Sequence, residues 1–103
     1  MGNGKVVRDR IPEIIERSGK KPQIRILDRA SAVRGLEEKL WEELREYSED
    51  HSPEELADLI EVVHGILFHR GMSWDELEAI RLKKRAERGG FEQGIFLVDI
   101  HEE

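Results

Sequence analysis

Apolar residues in the middle of the chain recur every three to four positions with charged residues between them. That is the pattern of helices that bury one face. Leu36, Leu40, Leu44 and Tyr47 form one stripe, inside a helix expected from about Arg29 to Asp50 with Asp28 or Ser31 as its cap. Leu56, Leu59, Ile60, Val63, Ile66 and Leu67 form a second. That helix opens at Ser52-Pro53-Glu54-Glu55, with serine at the N-cap, proline in the first turn and glutamate three residues on. It runs to His69 or Arg70 and stops at Gly71. Ser73-Trp74-Asp75-Glu76 repeats the Ser-x-x-Glu signature and opens a third long helix, which ends at Gly89-Gly90.

The ends of the chain read differently. From Val6 to about Arg17 an extended start leads into a short helix, with Pro12 in its first turn and Ile14 and Ile15 on its apolar side. Ser18-Gly19-Lys20-Lys21-Pro22 breaks it. Residues 23–27 alternate Ile24 and Ile26 with polar neighbours, and 94–100 are rich in β-branched and aromatic residues. These two segments are expected to pair as a small two-stranded β ribbon, which must lie against the helices or a partner chain. The fold class is all-α: one domain over residues 1–103, an antiparallel helical bundle with short connections.

Composition adjusts this picture. Hydrophobic residues make up 38% of the 103 positions and charged residues 39%, so the core is thin and favours sharing with a second subunit. Without cysteine there is neither a disulfide nor a thiolate metal site. Met1 to Lys5 lacks the apolar run of a signal peptide, and no stretch approaches the ~20 apolar residues of a membrane span. A soluble, cytoplasmic protein without a membrane partner is expected. The formal charge of −6 argues against nucleic acid as the main partner. It leaves open a small polyanion bound through a cation bridge.

The acids carry the chemistry. At roughly 100° per residue, Glu43 falls roughly 75° from the centre of the first stripe, and Glu46 roughly 60° beyond it. On the second helix Glu55 lies roughly 80° from the stripe and Asp58 roughly 60° further. Each helix thus places an i, i+3 pair of acids on the shoulder of its buried face. Fewer than about ten residues separate Glu46 from Glu55, so the helices turn back sharply and the two shoulders converge. Four carboxylates at close range repel unless a cation neutralises them. Oxygen-only donors suit Mg²⁺, Mn²⁺ or Ca²⁺ rather than Zn²⁺. Solvated helix faces carry many such acids, and Glu55 has a rival role as the capping-box partner of Ser52. Asp58 sits beyond any capping position, where Asp is a mediocre helix former.

Glu42-Glu43-Leu44-Arg45-Glu46 followed by Glu55-Leu56-Ala57-Asp58 resembles the paired E-E-x-x-E and E-x-x-D helices of the MazG-like all-α nucleotide pyrophosphohydrolases. The runs KVVRDRIPEII (5–15) and RGGFEQGIFL (88–97) resemble its phosphoribosyl-ATP pyrophosphohydrolase-like branch. The resemblance implies a Mg²⁺-dependent enzyme, with Mn²⁺ as a substitute, that cleaves a nucleoside triphosphate between its α and β phosphates. Glu43, Glu46, Glu55 and Asp58 would be the metal ligands, with Glu42 the adjacent acid. Glu42 or Glu46 would orient or deprotonate the attacking water. A homodimer or homotetramer is implied as well. The gap between the two acid motifs is short compared with many relatives and leaves little insertion to enclose a base.

A phosphate chain also wants cations. Arg81, Lys83, Lys84, Arg85 and Arg88 cluster on the third long helix, and Lys5, Arg8 and Arg10 near the start. Lys84 and Arg88 share a face at i, i+4 and are the preferred phosphate contacts, with Arg81 and Arg8 behind them. Their rival roles are a solvated face with its helix dipole and an ion pair with Asp9. Gly2-Asn3-Gly4-Lys5 lacks the strand and the Lys-Ser/Thr step of a P-loop. His64 and His69 read as surface residues, and Trp41, Trp74 and Phe91 as packing residues, one of which could stack on a base. Two other functions fit the same pattern. One is hydrolysis of phosphoribosyl-ATP itself. The other is a non-catalytic helical interaction module whose acids are solvated.

Overall fold

The computed structural model describes residues 4–102, and the opening Gly2-Asn3 pair lies outside them. Among these residues are four helices, α1 (Ile11–Arg17), α2 (Arg29–Asp50), α3 (Pro53–Arg70) and α4 (Trp74–Arg88). Each boundary has a local cause. Pro12 sits in the first turn of α1, and Gly19, at φ 91°, closes it by donating its N–H to the Glu16 carbonyl at 3.0 Å. Of the two possible caps for α2, Asp28 serves, accepting from the Ser31 N–H at 2.8 Å. Ser52 caps α3, accepting from the Glu55 N–H at 3.4 Å. Gly71 and Gly89, at φ 72° and 85°, terminate α3 and α4, as glycine readily does in the left-handed region. The exception is His51, which ends α2 at φ 60° without being glycine.

The chain divides into two compact units, Met1–Ser73 and Trp74–Glu103. The second holds α4 and the tail beyond it. In it Arg81 grips Glu78 through two bonds of 2.7 Å, and Arg85 pairs with Glu92 at 3.0 Å. The apolar tail residues from Ile95 to Ile100 are exposed. The expected ribbon is not formed, because neither 23–27 nor 94–100 carries a strand. A ribbon needs a covering layer, and Ile24 and Ile26 are exposed in the first unit.

In the first unit α2 and α3 form an antiparallel hairpin across the two residues His51 and Ser52. Leu36 lies against Gly65, while further along α2 and further back along α3 Glu43 lies beside Asp58. A Cβ at Gly65 would stand 3.2 Å from Leu36, so the glycine permits this close approach. The buried residues are Ala32, Leu36 and Glu43 on α2 and Val62 and Leu67 on α3. The seam is therefore rotated from the expected stripes. Leu44, Leu56 and Ile60 are exposed, and Glu43 is buried in their stead. Small residues on the seam let the helices meet along a less apolar face. Ahead of α1, Val6 packs on Gly35 of α2, where a Cβ would collide with it. No described helix is long and apolar enough to cross a membrane.

Candidate metal centre

The last turns of α2 and the first turns of α3 meet at the closed end of the hairpin. Carboxylate oxygens of Glu42, Glu43 and Glu46 lie within 4.8 Å of one another, as do those of Glu43, Glu55 and Asp58. Glu43 belongs to both trios. It is 6% exposed, and its Oε2 has no hydrogen-bond partner. The Oε2 of Glu55 is also shut off from solvent without a partner. Burial pushes the Glu43 carboxyl above its ordinary value, and Glu46, Asp58 and Glu42 push it further. Glu55 moves the same way, through burial first and then the charges of Glu46, Asp58 and Glu43. Both shifts express the cost of bringing anions together out of water.

Three cations offset part of this charge. Lys5 donates to Glu42 at 3.0 Å. Lys39 reaches Glu42 at 3.2 Å and Glu43 at 3.7 Å. Arg8 binds Asp58 at 2.7 Å. Hydrogen bonds from Lys5 and then Lys39 hold the Glu42 carboxyl below its usual range, and Glu42 in turn raises Lys5. Five carboxylates facing Lys5, Lys39 and Arg8 leave a formal charge of −2 when all are ionised.

The five sequence-selected acids are thus brought together, with Glu43 buried on the seam and the other four half-buried around it. Ser52 caps α3 through the Glu55 backbone, and the Glu55 carboxylate joins Glu43 and Asp58. Arg8 pairs with Asp58 instead of Asp9, while Arg10 bonds to Glu13 at 2.8 Å. Arg81 is engaged by Glu78, and Lys84 and Arg88 are exposed on α4 in the second unit. Lys39 is a further member of the cluster, beyond the residues selected from the sequence. Its spacing of i, i+3 and i, i+4 to Glu42 and Glu43 was the available signal.

A groove of about 700 Å³ opens beside the acids. The strap from Val6 to Arg10 forms one wall, and α2 and α3 form the floor. Glu43 and Asp58 lie at one end, Phe68 and His69 at the other. The donor set is oxygen throughout and dense in charge, which fits a hard divalent cation such as Mg²⁺ or Mn²⁺. Comparison with protein-family models, with curated proteins and with solved structures gives no match.

Proposed function

We propose that the protein is a Mg²⁺-dependent nucleoside triphosphate pyrophosphohydrolase of the MazG-like kind. The observation that carries the reading is the Glu43 carboxylate. It is buried where two carboxylate trios meet, with one oxygen unpartnered. A group in that position costs stability unless something satisfies it, and the residual charge of −2 matches a single divalent ion. Glu43, Glu46, Glu55 and Asp58 would hold the metal, with Glu43 common to both carboxylate trios. When bound, Mg²⁺ offsets phosphate charge and makes a coordinated water more acidic.

The chain's own residues do the rest. Arg8 and Lys5, now on Asp58 and Glu42, are within side-chain reach of phosphates brought to those acids. Glu42 or Glu46 takes the proton from water as its oxygen adds to phosphorus. The bridging P–O bond between the α and β phosphates breaks, giving nucleoside monophosphate and pyrophosphate.

The assembly belongs to the proposal. Leu40, Trp41 and Leu44 of α2 and Leu59 of α3 line a second groove of about 530 Å³, and Trp41 is 73% exposed. A second copy covers this face in a homodimer or homotetramer. Sedimentation velocity of Trp41→Glu against wild type tests it, and an unchanged mass in both would reject that interface.

The deciding experiment measures pyrophosphate release with Mg²⁺ over canonical and modified NTPs, dNTPs and phosphoribosyl-ATP. Wild type turns over at least one compound, and Asp58→Ala does not. No turnover on any of them, together with no stabilisation by Mg²⁺, would leave a helical interaction module instead.

A further inference from the structure

The groove beside the acids extends well beyond what metal and phosphates require. Asp58, Val62, Gly65 and His69 follow one another at i, i+4, i+7 and i+11 along α3, so they form a straight floor. From Asp58 to Phe68 the helix rises about 15 Å. The anionic end is rimmed by Arg8 and Lys39, and the middle has an apolar part from Val6, Leu36 and Val62 beside Glu61 and His64. At the far end the Phe68 ring stands edge-on to His69, with centroids 5.1 Å apart and planes at 88°. Phe68 is 71% exposed despite lining the groove. At the end of a cleft that begins in a charged site, this exposed ring offers a flat apolar face to a ligand.

We infer that Phe68 is the base-stacking platform of the nucleotide, which lies along α3 with its phosphates at Glu43 and Asp58. The inference rests on the proposed function and adds to it the place and chemistry of base recognition. Stacking uses the π-face that every nucleobase has, so the platform discriminates little between bases. The sugar crosses the apolar part of the floor, between the strap and α3.

Binding of the full chain in Mg²⁺ to the α,β-methylene analogues of ATP, GTP, CTP and UTP tests this, with Mg²⁺-tripolyphosphate as the probe lacking a nucleoside. Isothermal titration compares wild type, Phe68→Leu and Phe68→Trp. Because Phe68 is largely exposed, both variants keep the core intact. Wild type should prefer the analogues to tripolyphosphate, and Phe68→Leu should lose about 5- to 150-fold of that preference. Phe68→Trp should restore it, and tripolyphosphate should bind all three alike. If wild type prefers the analogues and Phe68→Leu binds them equally well, the base lies elsewhere, the inference fails and the proposed function stands. Equal binding of analogues and tripolyphosphate by wild type also overturns the inference. Absence of Mg²⁺-dependent binding to any probe removes the proposed function along with it.

Discussion

Replacing Glu43 by glutamine should stabilise the metal-free protein and erase its response to magnesium. At an effective dielectric of 20, two carboxylates 4.8 Å apart repel by about 3.5 kcal/mol, and Glu43 has neighbours within that distance in both trios. Lys39, 3.7 Å away, returns about 4.5 kcal/mol on the same scale. Lys5 and Arg8 already occupy Glu42 and Asp58, which leaves Glu46 and Glu55 as the uncompensated neighbours. Glutamine keeps the volume, removes the charge and offers two N–H donors to the surrounding oxygens. Lys39 retains Glu42 at 3.2 Å. After solvent screening the gain is about 1–3 kcal/mol, the range for relieving a buried unsatisfied group. Each kcal/mol raises Tm by about 4–8 °C in a domain of this size. The assay is thermal unfolding at pH 7.5 in EDTA and in 10 mM Mg²⁺. A site with Kd about 1 mM gives wild type about 1.4 kcal/mol from the metal, and Glu43→Gln close to none. A variant less stable than wild type in EDTA, still stabilised by Mg²⁺, would refute the account of Glu43 as an unsatisfied ligand.

Other expectations can be checked with the same methods. Glu43 and Glu55 have folded pKa values above the ordinary 4.5, so their favourable contribution is complete below 4.5 and is lost as pH rises through the raised values. Stabilisation by Mg²⁺ runs the other way. It should vanish in melts at pH 4 and grow up to pH 8, and a pH-independent shift would exclude these acids as ligands. Glu42, held low by Lys5, contributes stability above 4.5 that falls away as acid takes pH through its depressed value. Lys5→Met should flatten that acid limb of a stability–pH curve. Gly35→Ala gains helix propensity but displaces Val6, so a net loss of about 1–2 kcal/mol is expected in urea unfolding. It should also speed proteolysis ahead of Ile11. His51→Gly removes a left-handed non-glycine residue and should gain about 1 kcal/mol in the same assay.

Much of the helical layout was readable because its causes are local. Asp28, Ser52, Gly71 and Gly89 act within one turn of their own positions. The acid pairs were legible for the same reason, since i, i+3 spacing fixes which residues share a helix face. The seam between α2 and α3 was not. Hydrophobicity favoured the Leu44, Leu56 and Ile60 face, whereas the helices close on Ala32, Leu36, Val62 and Gly65. Small residues govern how near two backbones come, and an apolar count gives them little weight. Lys5 and Arg8 reach their acids from sequence separations of 37 and 50, which no local pattern encodes. The segments 23–27 and 94–100 had strand periodicity without a covering layer, so their local preference found nothing to hold it.

The two-residue connection between α2 and α3 has a kinetic consequence. Hairpins of adjacent helices close early, because little chain entropy separates their contacts. Beside that turn the helices bring Glu43 together with Glu55 and Asp58, and the charge of Glu46 bears on Glu55 as well. Early closure of this hairpin would place the electrostatic work of assembling the site within the folding barrier. Counter-charge supplied from solution is then expected to speed folding itself, and refolding rates compared across ionic strengths check it.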